Sequence, residues 1–142
     1  KFFIVRIAWA FGKNGKNFIK TMLNVGKKYP EVRVVNDQIG TPTYARDLAR
    51  AIYAAIAQDV PSGVFHFSNE GVCSWYDFTR AIHRIAGITT CRVRPLHTEE
   101  YPTPAARPHY SVLDKTKIKE TLEIEIPYWE TSLNECIKEL EK

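Results

Sequence analysis

A strand that must be covered on both faces can form only inside a layered sheet, and Phe2–Ile7, reading FFIVRI, is such a strand in all but Arg6. Aromatic and β-branched residues follow one another there without the polar alternation of a half-exposed sheet. Gly12 to Gly15 break the run, and from Lys16 to Lys28 apolar residues recur at Phe18, Ile19, Met22, Leu23 and Val25, which is helical spacing. Arg33–Val35 predicts a second short strand. Thr41-Pro42 reads as a helix entry, with Thr as N-cap and Pro at the first helical position, where its missing N–H is not needed. Ala45, Leu48, Ala49, Ile52 and Ile56 then line one face of a helix reaching about Gln58. Pro61-Ser62-Gly63 ends it, and Val64–Phe67 predicts a third strand.

The second half repeats the alternation. Ser74 and Asp77 form a capping box ahead of a helix with Phe78, Ala81, Ile82 and Ile85 on one face, closed by Gly87. Arg92–Leu96 predicts a fourth strand, and a loop with Pro102, Pro104 and Pro108 follows, where no regular ladder persists. Asp114 caps a short helix holding Ile118 and Leu122; after Pro127 a last helix carries Trp129, Leu133, Cys136, Ile137 and Leu140 on one stripe. Strands alternating with helices predict an α/β fold whose first and third strands complete a parallel sheet. If that sheet needs strands this chain lacks, an apolar edge of Phe2–Ile7 is left without its partner.

Composition excludes several function classes. At 142 residues and 44% apolar, the chain can bury one core. Its net charge of +4 comes from interleaved acids and bases, an ordinary surface pattern, so no nucleic-acid partner is expected. Cys73, Cys91 and Cys136 are an odd number without a CxxC pair, which predicts neither a disulfide framework nor a zinc site and points to a reducing, cytoplasmic compartment. No stretch approaches the roughly 20 apolar residues of a membrane span, so no membrane partner is expected. Lys1–Trp9 lacks the length and cleavage site of a signal peptide, and the abrupt start without methionine reads as a piece of something longer.

Four clusters exceed what periodicity explains. Trp9 follows a strand end, where ligands of parallel α/β sheets bind, and competes with a core reading. Asn36 to Thr43 packs polar groups between a strand and a helix start, serving either turn chemistry or an anion, with Gln38 able to donate and accept. Arg107, held between prolines, is pre-organised for a carboxylate or phosphate, or is simply a surface arginine. Among His66, His83, His97 and His109 no metal-ligand or triad spacing occurs; His66, inside an apolar strand, reads as a core histidine.

The motifs Arg6-x-x-Trp9-x-Phe11-Gly12, Gln38-x-Gly40-x-Pro42-Thr43-x-x-x-Asp47-Leu48-Ala49, Gly63-x-Phe65-His66, Ser74-Trp75-x-Asp77-Phe78 and Pro102-Thr103-Pro104-Ala105-x-Arg107-Pro108-x-x-Ser111-x-Leu113-Asp114 run in order through the chain. In this they resemble the dTDP-4-dehydrorhamnose reductases, extended short-chain dehydrogenases/reductases. The resemblance implies that residues 1–142 are one C-terminal substrate-binding region, the last strands of a parallel sheet plus a small lobe. It also implies that the NADPH-binding Rossmann half, with its glycine-rich turn and catalytic Tyr-x-x-x-Lys pair, is absent from this chain; neither motif occurs in the family's position. No catalytic residue is therefore expected here, and the chain alone should be inactive. By resemblance Trp9 packs against the deoxysugar of a dTDP-sugar, Arg107 binds its diphosphate, Asn17 and Phe18 lie near the nucleotide, and Gln38 with the Gly40–Thr43 turn contributes less. Ile7 and Ala8 would touch the nicotinamide edge of NADPH, with NADH also compatible. A regulatory subunit of the same fold, like the methionine adenosyltransferase β subunit, and another nucleotide-sugar reductase or epimerase are the rival readings. An open sheet edge would favour a homo-oligomer.

Overall fold

The computed structural model describes residues 1–142. Two parallel strand pairs organise it. β1 (Phe3–Arg6) pairs with β6 (Gly63–His66), Phe3 opposite Gly63. β3 (Glu31–Val35) pairs with β8 (Arg92–Leu96), Glu31 opposite Arg92. These are the first-with-third and second-with-fourth pairings of a parallel α/β arrangement, joined by helical crossovers as such pairs require. Two short ladders tie the pairs together: β2 (Ala10–Phe11) runs parallel to β5 (Thr43–Tyr44), and β4 (Ile39–Gly40) runs antiparallel to β7 (Cys73–Ser74). The β1–β6 pair has two strands only, and β1 alternates half-buried with exposed residues, Ile4 among the exposed, so it is not covered on both faces as its sequence predicts.

Helices α1 (Phe18–Lys28), α3 (Trp75–Ile85) and α5 (Trp129–Leu140) pack around one core of Phe11, Ile19, Tyr44, Phe78, Ile82, Leu133 and Ile137. A second core, Ala51, Ala55, Phe65, Phe67, Ile118 and Leu122, joins α2 (Ala45–Ala57) and α4 (Thr116–Leu122) to β1 and β6. The predicted capping box is present: the Ser74 hydroxyl accepts from the Asp77 N–H, and the Asp77 carboxylate accepts from the Ser74 N–H. At α4 the Asp114 carboxylate accepts from the Thr116 N–H at 2.9 Å, one residue outside the N-cap position.

Three further sequence expectations are corrected. Thr41-Pro42 does not open α2, which begins at Ala45; the Thr43 N–H donates to the Trp9 carbonyl at 3.0 Å and the Thr41 hydroxyl to the Gly71 carbonyl at 2.7 Å. Bonds across the fold outcompete a local cap there. The buried face of α2 is Asp47, Ala51 and Ala55, while Ile56 stays 72% exposed. A buried polar network turns the helix that way: the Asp47 carboxylate accepts from the Asn69 amide at 2.8 Å and from the Ser132 hydroxyl, and Arg50 pairs with its outer oxygen at 3.0 Å. Finally, His66 is only half-buried, and the core histidine is His83, whose Nε2 bonds the Met22 carbonyl at 2.8 Å.

Candidate functional site

Beyond the end of β1 the chain turns sharply at Trp9, which holds a left-handed backbone (φ 47°). A bulky residue there costs roughly 1–3 kcal/mol, so surrounding contacts must hold it. Two do so from behind: Thr43 accepts no role in α2 but donates its N–H to the Trp9 carbonyl and its hydroxyl to the Ala8 carbonyl at 2.5 Å. In front, the indole stacks on Trp75 at 3.8 Å, and Trp75 in turn meets Phe18 at 4.7 Å. Gly40 lies against the Trp9 ring; a methyl there would come within 2.7 Å of Cζ2.

This aromatic wall forms one side of a cleft of about 620 Å³. Trp9, Phe18, Gln38 and Arg107 all line it, together with Arg33, Trp75, Tyr101 and Ser111. No acidic side chain is among the lining residues. Arginine ion pairs are made by Arg46, Arg50, Arg84 and Arg94; Arg33 and Arg107 make none, and neither do Arg6, Arg80 and Arg92, which lie outside the cleft. An apolar wall facing two unpaired guanidinium groups suits a ligand with a flat or apolar part and an anionic part.

The other expected residues lie apart from this cleft. Asn17 caps α1: its side-chain oxygen accepts from the Ile19 and Lys20 N–H groups, and its amide donates to the Gly12 carbonyl at 2.8 Å. It faces a separate depression with Lys13, Lys16 and Glu139. Ile7 is 39% exposed at the end of β1, and Ala8 offers a carbonyl already held by Thr43. Sequence reasoning missed Arg33 and Trp75 as cleft residues. Trp75 was legible as the first helical residue after a capping box, but nothing local says that its ring turns toward Trp9.

The loop bearing Arg107 is anchored near Gln38. Asp37 accepts from the Thr98 hydroxyl at 2.6 Å and the Thr98 N–H at 2.9 Å, and this hydroxyl, then the N–H, hold its carboxyl below the ordinary carboxylate range. Deeper in the fold, burial pushes the Lys115 amine down while Glu70, 3.6 Å away, opposes the shift. No helix is long and apolar enough to cross a membrane.

The arrangement is that of the extended short-chain dehydrogenase/reductase fold: a UDP-N-acetylglucosamine 4-epimerase from Bacillus cereus, 18% identical, superposes with a TM-score of 0.74 over 99% of this chain and 46% of its own. Within that class the chain belongs to the RmlD substrate binding domain family, whose model matches residues 1–142. It is 42% identical to the spore coat polysaccharide biosynthesis protein SpsK of Bacillus subtilis over 96% of this chain and 47% of the relative. It is 36% identical to a dTDP-4-dehydrorhamnose reductase of Burkholderia thailandensis over 95% and 50%. A dTDP-4-dehydrorhamnose reductase structure from Clostridium acetobutylicum, 46% identical, matches with a TM-score of 0.93 over 99% of this chain and 49% of that one. The corresponding Bacillus anthracis enzyme, solved with NADP, is 41% identical with the same TM-score over 98% and 49%. The chain thus spans about half the length of the curated relatives it matches.

Proposed function

We propose that this chain is the C-terminal substrate-binding region of an NADPH-dependent reductase that converts dTDP-4-dehydro-6-deoxy-L-mannose to dTDP-L-rhamnose. The observation that carries the reading is the acid-free cleft in which an aromatic wall of Trp9, Trp75 and Phe18 faces unpaired Arg107 and Arg33. The Arg107 guanidinium fork donates two charge-assisted hydrogen bonds to the diphosphate. Trp9 presents an apolar surface to the deoxysugar, and Gln38 supplies a polar contact. Relatives named dTDP-4-dehydrorhamnose reductase support this substrate class.

NADPH, when bound, supplies the hydride delivered to the C4 carbonyl. The residues present fit only one edge of it: Ile7 gives an apolar contact at the end of β1, and neither Ile7 nor Ala8 carries a group that grips a pyrophosphate. No Tyr-x-x-x-Lys pair stands in this sequence to donate the proton, so this chain's part is to bind and orient the sugar nucleotide.

Calorimetric titration of dTDP into the full-length protein tests the reading. Arg107→Ala should weaken binding by about one to two orders of magnitude, since hydrogen bonds to charged groups are worth roughly 1.5–3 kcal/mol. Arg107→Lys should recover only part, offering a point charge without the planar fork. Equal affinities of wild type and Arg107→Ala, both folded by thermal melt, would end the diphosphate assignment.

A further inference from the structure

Both feet of the loop that carries Arg107 land on one residue. At the leading foot the Asp37 carboxylate accepts the Thr98 hydroxyl at 2.6 Å and the Thr98 N–H at 2.9 and 3.1 Å. At the trailing foot the His109 ring nitrogen Nδ1 donates to the Asp37 carbonyl at 2.8 Å. Two main-chain bonds reinforce that foot, the Ile39 N–H to the His109 carbonyl at 2.8 Å and the Ser111 N–H to the Ile39 carbonyl at 2.9 Å. The imidazoles of His97 and His109 also stand 3.9 and 3.8 Å from the outer Asp37 oxygen, one from each foot. Between the feet, residues 101–110 are all exposed, and Tyr101, Thr103 and Arg107 reach the cleft from there.

Asp37 is itself fixed. The neighbouring Asn36 N–H donates to the Leu96 carbonyl at 2.9 Å, and the Asn36 side-chain oxygen accepts from the Ser74 hydroxyl at 3.1 Å. The anchor therefore belongs to the strand framework, and the span above it has little burial of its own to hold it.

We propose that Asp37 is a positioning residue: its carboxylate pins the leading foot of the 98–109 loop, beside a trailing foot held on its main-chain carbonyl, and so sets Arg107 over the cleft; its contribution to binding passes through that arginine. A loop left free would have to be ordered each time a ligand bound, which weakens affinity even with every ligand-contacting side chain intact. The binding consequence rests on the diphosphate reading of Arg107; the pinning itself does not.

The test uses the full-length protein and two readouts. Amide hydrogen exchange in Asp37→Ala should accelerate by about tenfold or more at Thr98, Glu100 and Tyr101, the counterpart of losing hydrogen bonds to a charged group. Ile82 and Leu133, in the core, should exchange as in the wild type. Asp37→Asn keeps an acceptor for Thr98 and should recover much of the protection; Thr98→Val, which leaves the charge in place, should lose part of it. By calorimetry with dTDP, Asp37→Ala should bind on the order of tenfold more weakly than wild type. The double variant Asp37→Ala/Arg107→Ala should bind no more weakly than Arg107→Ala alone, because the two act in series. Unchanged exchange at residues 98–101 in Asp37→Ala, or losses that simply add in the double variant, would overturn the proposal. If Arg107→Ala leaves dTDP affinity unchanged while Asp37→Ala still frees the loop amides, the diphosphate reading falls and the pinning stands.

Discussion

Replacing Gly40 by alanine pits two effects of opposite sign against each other. Gly40 does not hold a left-handed backbone, so an added methyl should restrict the unfolded chain and stabilise the protein by about 0.4–1 kcal/mol. In the folded protein that methyl would stand 2.7 Å from Trp9 Cζ2, 2.9 Å from Cε2 and 3.1 Å from the Ser111 Oγ. The ring has little room to retreat, because Trp75 stacks on it at 3.8 Å and Thr43 holds the Trp9 backbone. Overpacking of this kind costs about 1–3 kcal/mol, so the clash outweighs the entropy and the net is a destabilisation of about 1–2 kcal/mol. Thermal melts should place Gly40→Ala about 5 °C below wild type. Near-UV circular dichroism should lose part of the signal of the stacked Trp9–Trp75 pair, since the indole must shift. In a Trp9→Ala background the same substitution should be neutral or stabilising, the methyl then having space. A Gly40→Ala protein that melts at or above wild type with an unchanged tryptophan spectrum would refute the reasoning.

Three further outcomes are expected. Asp47→Ala removes the acceptor of the Asn69 amide and the Ser132 hydroxyl in a buried network, and urea unfolding should show a loss of about 3 kcal/mol; a loss below the roughly 0.5 kcal/mol of a surface substitution would contradict that account. Because Thr98 holds the folded Asp37 carboxyl below its unfolded value, the anchor's contribution is present above the ordinary Asp value and is lost as pH falls through the folded value. The Thr98 amide resonance should therefore titrate with a midpoint under about 3.9, and a midpoint at or above it would contradict the bond. On the proposed reading, Trp9→Phe in the full-length protein should raise KM for the dTDP-sugar while leaving the melting temperature within a few degrees; an unchanged KM would remove Trp9 from the proposed sugar site.

The sequence by itself determined what depends on neighbours along the chain. The aromatic and β-branched run at Phe2–Ile7 marked a strand of a parallel pair, though not its burial, since Ile4 and Arg6 stay exposed, and the Ser74/Asp77 pair marked a helix start, because strand propensity and capping are set within a few residues. The proline-bounded Arg107 and the strand-end Trp9 stood out for the same local reason, and both line the cleft. Tertiary structure decided the rest. Thr41-Pro42 carries a helix-entry pattern, yet the Thr41 and Thr43 hydroxyls bond carbonyls 30 and 35 residues away, so α2 starts later. Asp47 turns α2 inward against Ile56 because Asn69 and Ser132, distant in sequence, satisfy a buried carboxylate. Trp75 and Arg33 become cleft residues only when α3 and β3 are brought beside Trp9. A hydrogen bond or a ring stack between residues tens of positions apart leaves no period in the sequence, and that is why those parts of the site could be read only from the fold.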